Sequence, residues 1–160
     1  MTEAAKNRVV VGVDGSEASL AALVWATEEA AGLGAEVEAV TVWTHDAMLD
    51  DASAERTLAE ARNVHLHDLE AQVTVALKGR SNVTVRCSAP DGDATDILVE
   101  RSRDARMLVV GSHGAGKLHD ILVGSVSSAC LRHAYCPVVV IPPGARTPES
   151  RIGRLLAETS

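Results

Sequence analysis

The feature that most restricts how this chain can fold is a set of short apolar runs with no polar residue on either side of the pleat. Val9-Val10-Val11-Gly12-Val13, Met107-Leu108-Val109-Val110 and Val138-Val139-Val140-Ile141 are of this kind. A strand apolar on both faces must be covered twice, which is the situation of a parallel sheet between two helical layers. Parallel neighbours also need crossover segments, and the intervening sequence supplies them. The first strand is expected over Arg8 to Asp14. Ser16 then caps a helix whose stripe is Leu20, Leu23, Val24, Thr27, Ala30 and Ala31, stopped by Gly32 and Gly34. Glu36 to Trp43 reads as the second strand and Thr44 to Ala54 as a loop. A long helix over Glu55 to Leu77 carries Leu66, Leu69, Val73, Ala76 and Leu77 on its apolar side.

Asn82 to Cys87 alternates apolar and polar residues, as an edge strand does. A turn at Pro90 to Asp93 leads into a helix over Ala94 to Arg103. Met107 to Val110 is the fourth strand, Gly111 to Gly124 a glycine-bearing connection, and Ser125 to Ala134 a helix. Val138 to Ile141 is the fifth strand, ended by Pro142-Pro143. The order β-α-β-α-β-α-β-α-β predicts one α/β domain over residues 1–143, with right-handed crossovers and helices on both faces. For the tail, 144–160, two readings stand. Thr147 as cap, Pro148 at the first helical position and Ile152, Leu155 and Leu156 make a short docked helix, or the terminus frays.

Composition enters as a set of exclusions. The 160 residues suit a single domain, and 46% are hydrophobic and 23% charged, an ordinary globular mix. With no Phe, two Trp and one Tyr, the core must be built from Val, Leu, Ile and Ala. A formal charge of −7 and the scarcity of aromatic platforms argue against nucleic-acid binding. The first residues hold no apolar run, against a secretory signal, and no stretch approaches the ~18 apolar residues of a membrane span. Cys87, Cys130 and Cys136 are odd in number and form no CxxC pair, so reduced thiols in a cytoplasm are expected. Cys130 falls on the core side of its helix.

In an open parallel sheet, ligands gather beyond the carboxyl ends of the strands where the strand order reverses. The residues at those ends are Asp14, Val42-Trp43 and Gly111-Ser112-His113-Gly114. Glycines let main-chain N–H groups approach an anion, and Gly124-Ser125-Val126-Ser127 opens a helix whose free amides favour phosphate. Ser125 and Ser127 are expected to add hydroxyl donors. Gly111 to Leu118 resembles the P-loop pattern GxxxxGK[ST], but Leu118 stands where the metal-binding hydroxyl belongs. The spacing Gly111-x2-Gly114-x9-Gly124-Ser125 fits with nothing missing.

That spacing, with Val9-Val10-Val11-Gly12-Val13-Asp14-Gly15-Ser16 before it and Cys136-Pro137-Val138-Val139-Val140 after it, resembles the universal stress protein family. The likeness covers about residues 7 to 142. It implies a Rossmann-like sheet of order 3-2-1-4-5, of the adenine nucleotide alpha hydrolase type. The glycine motif is that of the family's ATP-binding branch, so it implies ATP, with Mg²⁺ held through the phosphates. Carried over position by position, the implied contacts are Gly12, Val13, Asp14, Val42, Val110, Gly111, Gly114, Gly124, Ser125, Val126 and Ser127. The resemblance also implies a homodimer paired through the fifth strand, whose long apolar edge would otherwise invite aggregation.

Asp14 repels phosphate, so its part in such a site is to accept hydrogen bonds from ribose, the adenine amine or metal-bound water. His113, Lys117 and His119 lie near the glycine loop and are either counter-charges or solvated cations. Trp43 either lines the base pocket or packs under the following loop. His65 and His67 read as structural or solvated. No arginine and no general base accompany the glycine loop, so the site reads as a binding module, with Thr44 to Ala54 as its lid. The competing readings are slow hydrolysis or autophosphorylation on Ser125 or Ser127. A related flavoprotein or ATP pyrophosphatase fold ranks below them, because the SGGxDS loop of the latter is missing.

Overall fold

The computed structural model describes residues 7–45, 54–79, 82–112 and 123–158. Five parallel strands form one sheet: β1 (Arg8–Gly12), β2 (Glu36–Val40), β3 (Val85–Ser88), β4 (Met107–Gly111) and β5 (Val138–Ile141). Their order is β3-β2-β1-β4-β5, so β1 is central and the order reverses between β1 and β4. The register pairs Val10 with Glu38 on one side and Leu108 on the other. Around the sheet lie α1 (Glu17–Leu33), α2 (Ala54–Leu77), α3 (Ala94–Ser102), α4 (Ser125–His133) and α5 (Arg151–Glu158).

The two-sided apolar runs produce two cores. Val9, Val11, Val37, Ala39 and Val109 face one layer, where they meet α1, Leu69 and Val73 of α2, and Ile152 of α5. Val10, Val40, Leu108 and Val110 face the other, against Leu98 of α3 and Cys130 of α4. Burial pushes the Cys130 thiol up to about 11, with Cys136 adding a smaller push, so it stays a neutral space-filling group. Ser16 caps α1 by accepting from the Ser19 N–H, and Gly34 ends it in the left-handed region at φ 61°.

Several expected boundaries move. Regular pairing on β2 ends at Val40 rather than Trp43; beyond it Thr41 and Trp43 still donate to the carbonyls of Ser88 and Pro90, and Trp43 keeps an isolated parallel bridge to Asp91. Trp43 donates from Nε1 to the Ala89 carbonyl at 2.9 Å and stacks on His65 at 5.0 Å, so it packs under the chain after β3. β3 begins at Val85, not Asn82, and is half-buried, as an edge strand should be. The tail docks as a helix, but its start is not at Thr147-Pro148. A 3-10 turn over Pro143–Arg146 comes first, and Ser150 then accepts the Gly153 N–H at 2.8 Å.

Glu38 is the exception within the second core. This carboxylate, only 8% exposed, lies between Arg8 and Arg101. Arg101 donates to it and, at 3.3 Å, to Ser88 Oγ. The Arg8 contact at 3.1 Å is a pairing by charge rather than an aligned hydrogen bond, since Arg8 Nε and Glu38 Oε2 both lack a hydrogen-bond partner. Burial, and then the Arg8 charge, pull the Arg101 guanidinium below its usual range. Glu38→Gln leaves two guanidinium groups facing each other without a counter-charge. The expected cost is about 2–3 kcal/mol, below the full penalty of a wholly buried pair because both arginines keep some contact with water. Urea unfolding at neutral pH measures it, and a loss under 0.5 kcal/mol contradicts the assignment.

Candidate functional site

The carboxyl ends of β1, β2 and β4 open into a crevice of about 520 Å³. That volume is in the range of small-molecule sites. Its apolar wall is Val40, Val42, Leu98 and Val110, the side chains that continue the second core outward. Its polar end is made by Asp14 and Ser19 from the start of α1 and by Ser125, Ser127 and Ser128 from the start of α4. Among the described residues the lining holds no lysine or arginine, and its donors are main-chain N–H groups and serine hydroxyls.

Three helix starts touch this crevice, and they differ. α1 is capped by Ser16, and α3 by Asp93, whose side chain accepts the Asp96 N–H at 3.0 Å. α4 starts at Gly124, which has no side chain to cap it. The first bond inside α4 is Ser128 N–H to the Gly124 carbonyl at 2.9 Å, so the amides of Ser125, Val126 and Ser127 precede it. The positive end of that helix is therefore the one left for an external acceptor.

Ten of the expected contacts come together in this lining: Gly12, Val13, Asp14, Val42, Val110, Gly111, Gly124, Ser125, Val126 and Ser127. Gly114, with His113, Lys117 and His119, lies outside the described residues, as does most of the expected lid. Two of the stated reasons need correction. The Ser127 hydroxyl is not offered to the crevice, because it donates to the carbonyls of Gly124 at 3.2 Å and Ser112 at 3.3 Å. Gly111 is required from the other side: a Cβ there would stand 2.7 Å from Ala18 Cβ and 2.8 Å from Ala18 C. Sequence reasoning missed Ser19, Val40, Ala94, Leu98, Val123 and Ser128. The α3 residues reach the crevice only by tertiary packing, whereas Ser19, three residues after the Ser16 cap, had a local signal.

Asp14 is exposed and is held in a tight turn. Ser16 donates its N–H to Asp14 Oδ1 at 2.9 Å, and its hydroxyl to the same oxygen. Gly15, at φ 83°, supplies the corner.

With the fold and crevice described, comparison with known proteins decides the family. The model of the universal stress protein family matches residues 6–142. The chain belongs to this family. Universal stress protein Rv2624c of Mycobacterium tuberculosis is 35% identical over 150 residues, covering 90% of this chain and 51% of that protein. This universal stress protein chain thus spans about half the length of the curated relatives it matches. Among solved structures, universal stress protein UspA from Lactobacillus plantarum superimposes with a TM-score of 0.70 at 25% identity, covering 85% of this chain and 97% of that one. A universal stress protein in complex with cAMP gives 0.58 at 24% identity over 86% and 97% of the two chains, a likeness of fold. No helix among the described residues is long and apolar enough to cross a membrane.

Proposed function

We propose that this universal stress protein is an ATP-binding regulatory module of the cytoplasm. The observation that carries the reading is the crevice itself: an apolar slot with an uncapped helix start and the Asp14 carboxylate at its polar end. An adenine ring suits the wall of Val40, Val42, Leu98 and Val110. The amides of Ser125, Val126 and Ser127 suit a phosphate. The cAMP complex of a protein with the same fold agrees with an adenine nucleotide as the ligand class. Mg²⁺ would come with the phosphates, as part of the ligand. A homodimer through β5 completes the reading, supported by an edge strand whose Val138, Val139 and Val140 remain only half-buried.

The test is to denature purified protein, identify any released nucleotide, and titrate the emptied protein with Mg-ATP by calorimetry. Gly124→Val adds a side chain at the helix start in an extended conformation that valine tolerates, φ −69° and ψ 170°. Its affinity for ATP is expected to fall at least tenfold, with a melting temperature only a few degrees lower. Equal nucleotide content and affinity in the two proteins defeat the proposal. Steady multiple-turnover hydrolysis that disappears in Asp14→Ala would make the protein an enzyme instead.

A further inference from the structure

Asp14 is the acid in the described lining of the crevice, and a second side chain governs where it stands. Ser19, on the first turn of α1 and 4% exposed, accepts the main-chain N–H of Asp14 at 3.2 Å. Its hydroxyl donates to the Ser16 carbonyl at 2.9 Å. Ser19 gives its own N–H to Ser16 Oγ at 3.2 Å, and Ser16 holds Asp14 Oδ1 with both its amide and its hydroxyl. The hydrogen bonds thus close a ring through Asp14, Ser16 and Ser19. One buried hydroxyl ties down both ends of the Asp14-Gly15-Ser16 turn.

We propose that Ser19 is a positioning residue of the nucleotide crevice, fixing the Asp14 main chain and, through Ser16, its carboxylate. This deepens the nucleotide reading above and rests on it. The ring has a consequence for what Asp14 can recognise. Oδ1 is spent on Ser16, so Oδ2 is the oxygen left for a ligand, and the acid serves as a single-point acceptor. It suits one N–H or O–H donor, such as the adenine amine or one ribose hydroxyl, rather than a pair of adjacent hydroxyls gripped at once. Removing the Ser19 hydroxyl leaves the part-buried Asp14 amide without its acceptor, and the turn must relax to rehydrate it.

Two measurements test this on the full chain. The first is calorimetric titration with Mg-ATP, and the second is hydrogen exchange of the Asp14 amide in ligand-free protein. Ser19→Ala is expected to weaken ATP about tenfold and to speed Asp14 exchange about tenfold. Ser19→Thr keeps the hydroxyl and is expected to stay within about threefold of wild type in both. In an Asp14→Ala background, adding Ser19→Ala should change affinity less than about twofold, since both act through one group. A merely structural serine would lower stability without that loss of additivity. The role is overturned if Ser19→Ala binds ATP like wild type, or if its effect adds in full to that of Asp14→Ala. Unchanged Asp14 exchange in Ser19→Ala overturns it as well. Failure of the wild type to bind Mg-ATP overturns the nucleotide reading and leaves the tie on Asp14 to the ligand-free exchange.

Discussion

Gly111→Ala is expected to cost about 3 kcal/mol of stability, at the upper end of what overpacking a core does. The added methyl would meet Ala18 at its Cβ, at its carbonyl carbon and, at 3.1 Å, at its carbonyl oxygen. Two of these three atoms belong to the main chain of α1, which cannot swing aside as a side-chain tip can. The helix must therefore lift from β4 at a point where Ala18 is buried. Because α1 also carries the Asp14–Ser16 turn, ATP affinity should fall along with stability. Gly32→Ala is the matched control. It lies within α1, with nothing within 4 Å of its would-be Cβ, and should gain about 0.5–1 kcal/mol. Urea unfolding with an unchanged m-value reads both changes. A Gly111→Ala protein within 1 kcal/mol of wild type contradicts the close approach.

The second large effect is expected at Gly153. Alanine in place of glycine ordinarily stabilises a helix by about 1 kcal/mol. Here the sign should reverse, because a Cβ on Gly153 would stand 1.8 Å from the Thr147 carbonyl oxygen and 3.1 Å from that of Arg146. The turn over Pro143–Arg146 and α5 cannot both keep their places. Undocking α5 exposes Ile152 and frees Leu155 and Leu156 from the core edge. It also breaks the ion pair Arg151–Glu29 at 3.0 Å, which is partly exposed and counts for little. The expected loss is about 2–3 kcal/mol, most of it from the isoleucine. Limited proteolysis should cut Gly153→Ala near residues 144–150 many times faster than wild type. Equal cleavage rates would show that the tail accommodates the methyl.

The parts of this molecule that were legible in its sequence share a physical cause. Doubly apolar runs can be satisfied in few ways, so Val9–Val11, Leu108–Val110 and Val138–Ile141 announced a parallel sheet before any coordinates. Caps were readable for the same local reason: Ser16 and Gly34 act on their own helix within a turn. What stayed hidden depends on partners distant in sequence. The glycine at 111 looked like an opening for a ligand, yet its missing methyl is claimed by Ala18 on the other side. Ser127 looked like a donor, but a closer carbonyl takes its proton. Glu38 gave no signal at all, since its partners come from β1 and α3. The tail's start was misjudged because a 3-10 turn after Pro142 delays the helix until Ser150 can cap it.

The central place of β1 also bears on how the chain reaches this shape. Val9 lies beside Val37, which arrives soon in the sequence, and beside Met107, which arrives about a hundred residues later. Half of the innermost ladder therefore cannot close until most of the polypeptide is available. Closure of so long a loop has to be suffered before its contacts reward it, so formation of the native sheet should be slow. During that wait one flank of the first strand is bare, which makes the growing or refolding chain most prone to self-association before β4 slots in.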